Sequence, residues 1–285
     1  YGGSASATIG VPYITAFRFP SPNSTTGLQC GNNGVLVTQV LSASTNLATD
    51  GSTFYIGQWY SNNTSGGNFQ YEGDIAEVLY YNAPITATAF TQISSYLAMK
   101  YGIHLDPTAV PNYLASDGST IWGAVANTGY TNTVIGIGRD DNSGLNQKQT
   151  TSATGSDILT FGLGAITSSN VANTGSFGVD KSFLLVGNNA ITTSVTNTID
   201  LATNPGTATP MRMRLGRVWK VQLTGTLVGT EALQFNLTGA FSSTVPYSVS
   251  DLCLLIDRGV GNFGSSSIAS GTLTQSAVLD RKSVV

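Results

Sequence analysis

Few side chains in this sequence are equipped for chemistry, and their spacing narrows it further. His104 is the sole histidine, and it lies in the apolar stretch Ile103-His104-Leu105. A Ser-His-Asp triad would have to run through it. In that setting the expected role is structural, with a ring nitrogen bonded to the backbone. One His and two distant Cys cannot supply a His-based zinc site. The glutamates are three, Glu72, Glu77 and Glu231. A glycosidase needs two carboxylates facing one cleft. Glu72 and Glu77 differ by an odd number of positions, so on one strand they point to opposite faces. Glu77 is expected to meet a backbone amide or a neighbouring Arg or Lys. These residues predict no enzyme.

Other groupings suggest binding. Asp140-Asp141-Asn142-Ser143-Gly144 offers oxygen ligands to calcium, though without the full ligand set of an EF-hand. The competing reading is an acidic turn that bonds its own backbone. Beyond calcium the sequence suggests no cofactor. Gly136-Ile137-Gly138 is no phosphate loop, because no helix follows it. Trp59, Tyr60, Tyr80, Tyr81, Trp122 and Trp219 have the ring faces to stack on sugars, but core packing competes for them. Trp219 reads as half core. Trp59-Tyr60, beside the loop at 61–68, is the better exposed candidate for a glycan. Cys30 and Cys253 are the two cysteines. They form either one long-range disulfide, which would suit an exported protein, or two buried thiols.

Elements must position these groups. The chain has 285 residues, enough for roughly two domains at ~150 residues each. It is 41% hydrophobic but only 9% charged, against a typical ~25%. Its polar surface must therefore come from Ser, Thr, Asn, Gln and Gly. Disorder calls for low hydrophobicity and high charge, and the chain has neither. The 12 Lys+Arg are scattered singly and the net charge is −3, which argues against nucleic acid. No apolar run approaches the ~18 residues of a membrane span. The sequence opens at Tyr1 with no basic or apolar leader, as expected of a piece of a longer precursor. Asn23-Ser24-Thr25 and Asn236-Leu237-Thr238 matter only where a host glycosylates such sites.

Most of the chain reads as short strands between turns, hence all-β. Early candidates are 35–41 and 54–59 with Asp50-Gly51 as their hairpin turn, then 73–82 as a largely buried strand. Later ones are 133–138, 158–162, 182–187, 214–223, 232–237, 252–257 and 277–279. Turns are expected at Asn142-Ser143-Gly144, Gly187-Asn188-Asn189 and Asn204-Pro205-Gly206. One helix is expected at about 86–101. Thr86 or Thr88 would cap it, and Phe90, Ile93, Leu97 and Tyr101 would form its apolar stripe. Lys100 suits its C-terminal dipole and Gly102 its left-handed end. Segments 6–14 and 276–285 look free to complete the open sheet of another chain.

The run Tyr71-Glu72-Gly73-Asp74-Ile75-Ala76-Glu77-Val78-Leu79-Tyr80-Tyr81-Asn82, with Ser95-Tyr96-Leu97-Ala98-Met99-Lys100-Tyr101-Gly102-Ile103 after it, resembles the C-terminal end of a LamG/concanavalin-like jelly-roll of large bacterial surface proteins. The chain beyond residue 107 resembles the domain that often succeeds that jelly-roll. The matching stretches are Tyr113-Leu114-Ala115-Ser116-Asp117-Gly118, Trp122, Gly136-Ile137-Gly138-Arg139-Asp140-Asp141, Gly144-Leu145-Asn146-Gln147-Lys148-Gln149, Arg217-Val218-Trp219-Lys220-Val221-Gln222 and Leu254-Leu255-Ile256-Asp257. The resemblance implies two β-sandwich domains in tandem: a jelly-roll over 1–106 that lacks N-terminal strands, and a second β-sandwich over 107–285. Arg258 stands where a second carboxylate would favour a cation after Asp257.

The resemblance and the low charge imply an extracellular, cell-surface protein of structural or adhesive type. It would be a filament or matrix subunit that contacts copies of itself or other surface proteins through β-strands. The alternative is a lectin-like carbohydrate-binding module, and a glycoside hydrolase is a distant third.

Overall fold

The computed structural model describes residues 8–19, 28–38, 56–59, 69–110, 112–155, 157–197, 213–227, 229–237, 254 and 283–284. These form antiparallel sheets and one helix, in keeping with the all-β expectation. Strands β1 (Thr15–Arg18), β2 (Gln29–Asn32) and β3 (Val37–Thr38) make a three-stranded sheet. β4 (Gln58–Trp59) pairs with β5 (Phe69–Gln70). Helix α1 (Ala87–Tyr101) comes next, and then the hairpin of β6 (Asn112–Leu114) and β7 (Thr120–Gly123). The remaining strands are β8 (Asn132–Asp140), β9 (Leu145–Gln147), β10 (Gln149–Thr151), β11 (Leu159–Leu163), β12 (Ser182–Asn188), β13 (Val195–Asn197), β14 (Met213–Leu215), β15 (Trp219–Thr224), β16 (Glu231–Phe235) and β17 (Ser283–Val284). They build a five-stranded sheet in the order β17-β15-β12-β8-β9, a three-stranded sheet β10-β11-β16 and a pair β13-β14.

All seven residues of β12 are buried. That pattern belongs to a central strand covered on both faces rather than to one with a wet side. Side chains alternate between the two covers. Ile135 and Ile137 of β8, Leu184 and Val186 of β12 and Trp219 of β15 join Phe161 of the three-stranded sheet in one core. Val134, Phe183 and Leu185 face the other way and join Met99 of α1, Tyr113 and Trp122 in a second core.

The helix lies where expected. The Thr86 hydroxyl accepts the Ala89 N–H at 3.0 Å, and Gly102 ends the helix with φ 63°. A Cβ on Gly102 would sit 2.2 Å from the Thr151 carbonyl oxygen, so close approach as well as conformation requires glycine there. The buried face differs from the expected stripe. Phe90 is buried, but the other buried positions are Ser94, Ser95, Ala98 and Met99, while Ile93, Leu97 and Tyr101 are half-buried. The cause is the sheet beneath. Small side chains let the helix backbone approach strands β6, β8, β9 and β10. Ser95 spans the gap, donating to the Thr91 carbonyl at 2.7 Å and accepting the Leu114 N–H at 3.0 Å.

Gly138 completes this fit, while a Cβ on Gly136 would meet Leu185 of β12. A Cβ on Gly138 would lie 2.5 Å from Phe183 Cδ1 and 3.1 Å from Met99 Cε. Gly136 and Gly138, read in the sequence as no phosphate loop, leave room for Leu185, Phe183 and Met99 beside them. Gly138→Ala is expected to cost about 1–3 kcal/mol by overpacking, read as a lowered urea midpoint with unchanged slope.

Several expectations need correction. Residues 73–82 join no strand ladder among the described residues, and Ile75, Val78, Leu79, Tyr80 and Tyr81 are exposed rather than buried. Among the described residues no sheet takes up this apolar run. The single strand expected at 214–223 is two, parted at Gly216, Arg217 and Val218. Gly187 and Asn188 end β12 instead of forming a turn, and Asn188 is buried. Ser283 pairs with Lys220 and Val284 with Trp219, so that part of the C-terminal segment belongs to its own sheet. Ile14 is buried in the helix-side core, so the N-terminal segment is not free either. The hairpin turn Asp50-Gly51 and the segments 204–206, 255–257 and 277–279 lie outside the described residues.

Candidate functional site

Among the described residues, charged side chains that could do chemistry form three clusters, each joining elements distant in sequence. In the first, Asp140 ends β8 and is almost wholly buried. Its carboxylate accepts the Ser116 N–H at 2.8 Å and the Ser116 hydroxyl at 2.6 Å, and it pairs with the Lys181 ammonium, which also donates to Ser116 Oγ. Burial pushes its pKa up, but the bonds from Lys181 and Ser116 outweigh this and hold it below the usual carboxylate range. Next to it Asp141 forms a two-pronged pair with Arg139, at 2.7 Å for both contacts, and is held ionised by it. Asn142 is exposed in the turn.

This geometry bears on calcium. Asp140 points inward to Lys181, and Asp141 is turned to Arg139, so the two carboxylates do not converge on a common point. Among the described residues no group of three or more His, Cys, Asp or Glu is placed to hold a metal ion. Part of the acidic-turn reading is visible, since Ser143 donates to the Asp140 carbonyl through its N–H at 3.2 Å and its hydroxyl at 3.1 Å.

The second cluster was not legible in the sequence. Asp157, just before β11, has a side chain only 1% exposed. It accepts the Trp219 indole N–H at 3.0 Å, the Asn188 amide at 2.6 Å and the Ile158 N–H at 2.8 Å, with Arg217 at 3.5 Å. One carboxylate thus fastens three strands.

The third cluster is on α1. Glu77 Oε2 lies 3.0 Å from the Lys100 ammonium and 2.9 Å from the Tyr101 hydroxyl, and Lys100 also donates to the Tyr96 hydroxyl at 2.8 Å. The expected partner of Glu77, a nearby Lys or Arg, is therefore Lys100. Burial pushes Glu77 up, but Lys100 and Tyr101 together hold it below its ordinary value. The bond to Tyr96 and then that to Glu77 raise Lys100 against a lowering by burial.

His104 is half-buried, and its Nδ1 accepts the Val134 N–H at 3.2 Å. That is the structural role expected of it, and it makes Nδ1 the unprotonated nitrogen. Burial lowers its pKa below 6.5, partly opposed by the Asp106 charge. A base that resists protonation when folded favours the unfolded chain in acid. Stability should be full above the ordinary His value and fall as pH drops through it. Melting temperatures measured from about pH 8 to 5 should show this loss, because the unfolded ring titrates near ~6.5. His104→Asn, which keeps an acceptor, should flatten that limb.

Trp122 and Trp219 are both buried core residues, 1% exposed. Tyr80 and Tyr81 are exposed. Trp59 lies in β4, and its side chain, like all of Tyr60, lies outside the described residues. Cys30 is a buried free thiol, and Cys253 lies outside the described residues. Among the described residues no helix is long and apolar enough to cross a membrane. Chemically the clusters fasten elements, since every carboxylate in them is matched by a cation or by several donors.

No curated protein and no solved structure matches the chain. One family model does match, described as "Domain of unknown function (DUF8202)", over residues 89–284. Its span begins inside α1 and takes in the five-stranded and three-stranded sheets, so the helix is part of the unit the family defines. With more than two thirds of its length matched, the chain belongs to the DUF8202 family.

Proposed function

We propose that this chain is a structural or adhesive component of a bacterial cell surface, acting outside the cell and without catalysis. The observation that carries the reading is the exposed apolar run Ile75, Val78, Leu79, Tyr80 and Tyr81. It stands on a chain that is only 9% charged. Contiguous exposed apolar side chains mark contact surfaces. A surface of Thr, Ser and Asn packs against identical subunits with little charge repulsion. Two β-sandwich units in tandem remain the proposed architecture. The second would be the five-stranded sheet over β10-β11-β16. We place the division before α1, near residue 86, instead of at 106, because the helix packs on the later strands.

Electron microscopy of the purified protein at high concentration tests this. Filaments or a matrix are expected. Dispersed monomers that neither assemble nor adhere to cells or purified surface proteins would contradict it. The lectin-like alternative is favoured by one observation, the exposed rings of Tyr71, Tyr80 and Tyr81. It predicts glycan binding by a monomer, lost on Tyr80→Ala and Tyr81→Ala.

A further inference from the structure

Strands β8 and β12 pair with Arg139 opposite Ser182. One step further in the same register, Asp140 stands opposite Lys181, and the Lys181 ammonium contacts Asp140 Oδ1. The Asp140 side chain is 3% exposed and that of Lys181 26%. Ser116 is bonded to both. Its hydroxyl accepts from the Lys181 ammonium and donates to Oδ1 at 2.6 Å, while its N–H donates to Oδ2 at 2.8 Å. The backbone fixes the lysine in place. Lys181 has φ 55°, a left-handed conformation uncommon for a lysine and kept only where the surroundings enforce it. Gly225 backs onto it so closely that a Cβ there would lie 2.2 Å from the Lys181 carbonyl oxygen. The Ser182 hydroxyl, next in the chain, donates to the Thr226 carbonyl at 2.6 Å.

We propose that Lys181 and Asp140 condense to an intramolecular isopeptide bond that joins β8 covalently to the start of β12. The bond goes beyond the surface role proposed above and does not depend on it. The ammonium first passes one proton to Oδ1, leaving a neutral amine beside a neutral acid. Nζ then attacks Cγ, and the Cγ–Oδ2 double bond opens to an oxyanion that receives the Ser116 N–H. A second proton leaves Nζ through the Ser116 hydroxyl, which already accepts from Nζ and donates to Oδ1. The Cγ–Oδ1 bond breaks, Oδ1 departs as water, and the carbonyl re-forms at Oδ2. One ammonium and one carboxylate become one amide and one water, with no oxidant, reductant or co-reactant. Fixed opposition of the two groups makes the step effectively unimolecular. A backbone N–H already aimed at Oδ2 stabilises the oxyanion without reorganisation. Condensation also removes two charges from a site where keeping them out of water is costly.

Intact-mass spectrometry of the purified, urea-denatured full chain is the test. The wild type should be lighter than its sequence by one water. Trypsin should release one branched peptide in which Asp140 and Lys181 are linked. Lys181→Arg keeps a cation for Asp140, but a guanidinium that stays protonated cannot attack Cγ. That variant should have its full sequence mass and give no branched peptide. A wild type at full sequence mass would overturn the proposal. So would a water loss that persists in Lys181→Arg. So would one that maps to Asp117-Gly118, where a cyclic imide loses the same water without joining two strands.

Discussion

Asp157→Ala should unfold the protein more readily than any other single polar substitution in these clusters, by about 3–5 kcal/mol, the loss typical of breaking a buried ion pair from one side. The carboxylate is 1% exposed and receives Trp219, Asn188, Ile158 and Arg217. Truncation leaves the indole N–H of Trp219 and the Asn188 amide without this acceptor in a dry place, and each such orphan costs about 1–3 kcal/mol. Asp157→Asn should cost less than the alanine. It keeps one acceptor, but its amide hydrogens face the donors of Asn188 and Trp219. Urea unfolding monitored by tryptophan fluorescence measures both. Added salt should change the wild-type value little, since buried pairs are weakly screened. A cost for Asp157→Ala below about 1 kcal/mol, the range of surface ion pairs, would place this carboxylate in water.

Met99→Ala is the second large effect, expected at about 2–5 kcal/mol for a fully buried side chain whose removal leaves a cavity. Met99 is 1% exposed and packs over Gly138 beside Phe183. Leu97 is only half-buried. Leu97→Ala should therefore cost distinctly less, in proportion to the smaller apolar area it hides at ~25 cal/mol per Å². The order of the two substitutions distinguishes a helix seated on its small residues from one seated on its large ones.

That helix shows how much the sequence can reveal. Its ends were legible because caps are local: Thr86, Lys100 and Gly102 act within a turn of themselves. Its buried face was not, because burial is decided by what lies underneath. Gly138 on β8, distant in sequence, makes room for Met99 on the face that also carries Ser94, Ser95 and Ala98. Strand β12 was legible from its run of β-formers. Strands such as β6 and β9 carry too few apolar residues to stand out, and they exist because a neighbour supplies the ladder. The run at 73–82 misled in the opposite sense. Its apolar pattern is that of a buried strand, yet Ile75, Val78, Leu79, Tyr80 and Tyr81 are exposed and the run joins no ladder among the described residues.

The polar clusters divide the same way. His104 was readable from its apolar neighbours. Lys100 as a partner for Glu77 could be reached from the scarcity of charge. Asp157 carried no signal, since a single Asp after a Gly-Ser turn looks like any loop residue. Its importance comes from three strands that meet it only in the folded chain. The Asp140-Asp141 pair looked like one site but serves two. Asp140 turns in to Lys181 and Asp141 turns to Arg139, as alternation along a strand end dictates.

The division of the chain before α1 depends on one claim: α1 and the five-stranded sheet form a single cooperative body. Urea unfolding of two fragments, 86–285 and 107–285, tests it directly. The fragment that keeps the helix should unfold in one cooperative transition. The fragment that starts at 107 lacks Ala98, Met99, Ile103 and Leu105, all buried in the shared core, and should show no cooperative transition. Equal stability of the two fragments would contradict the account and return α1 to the N-terminal unit.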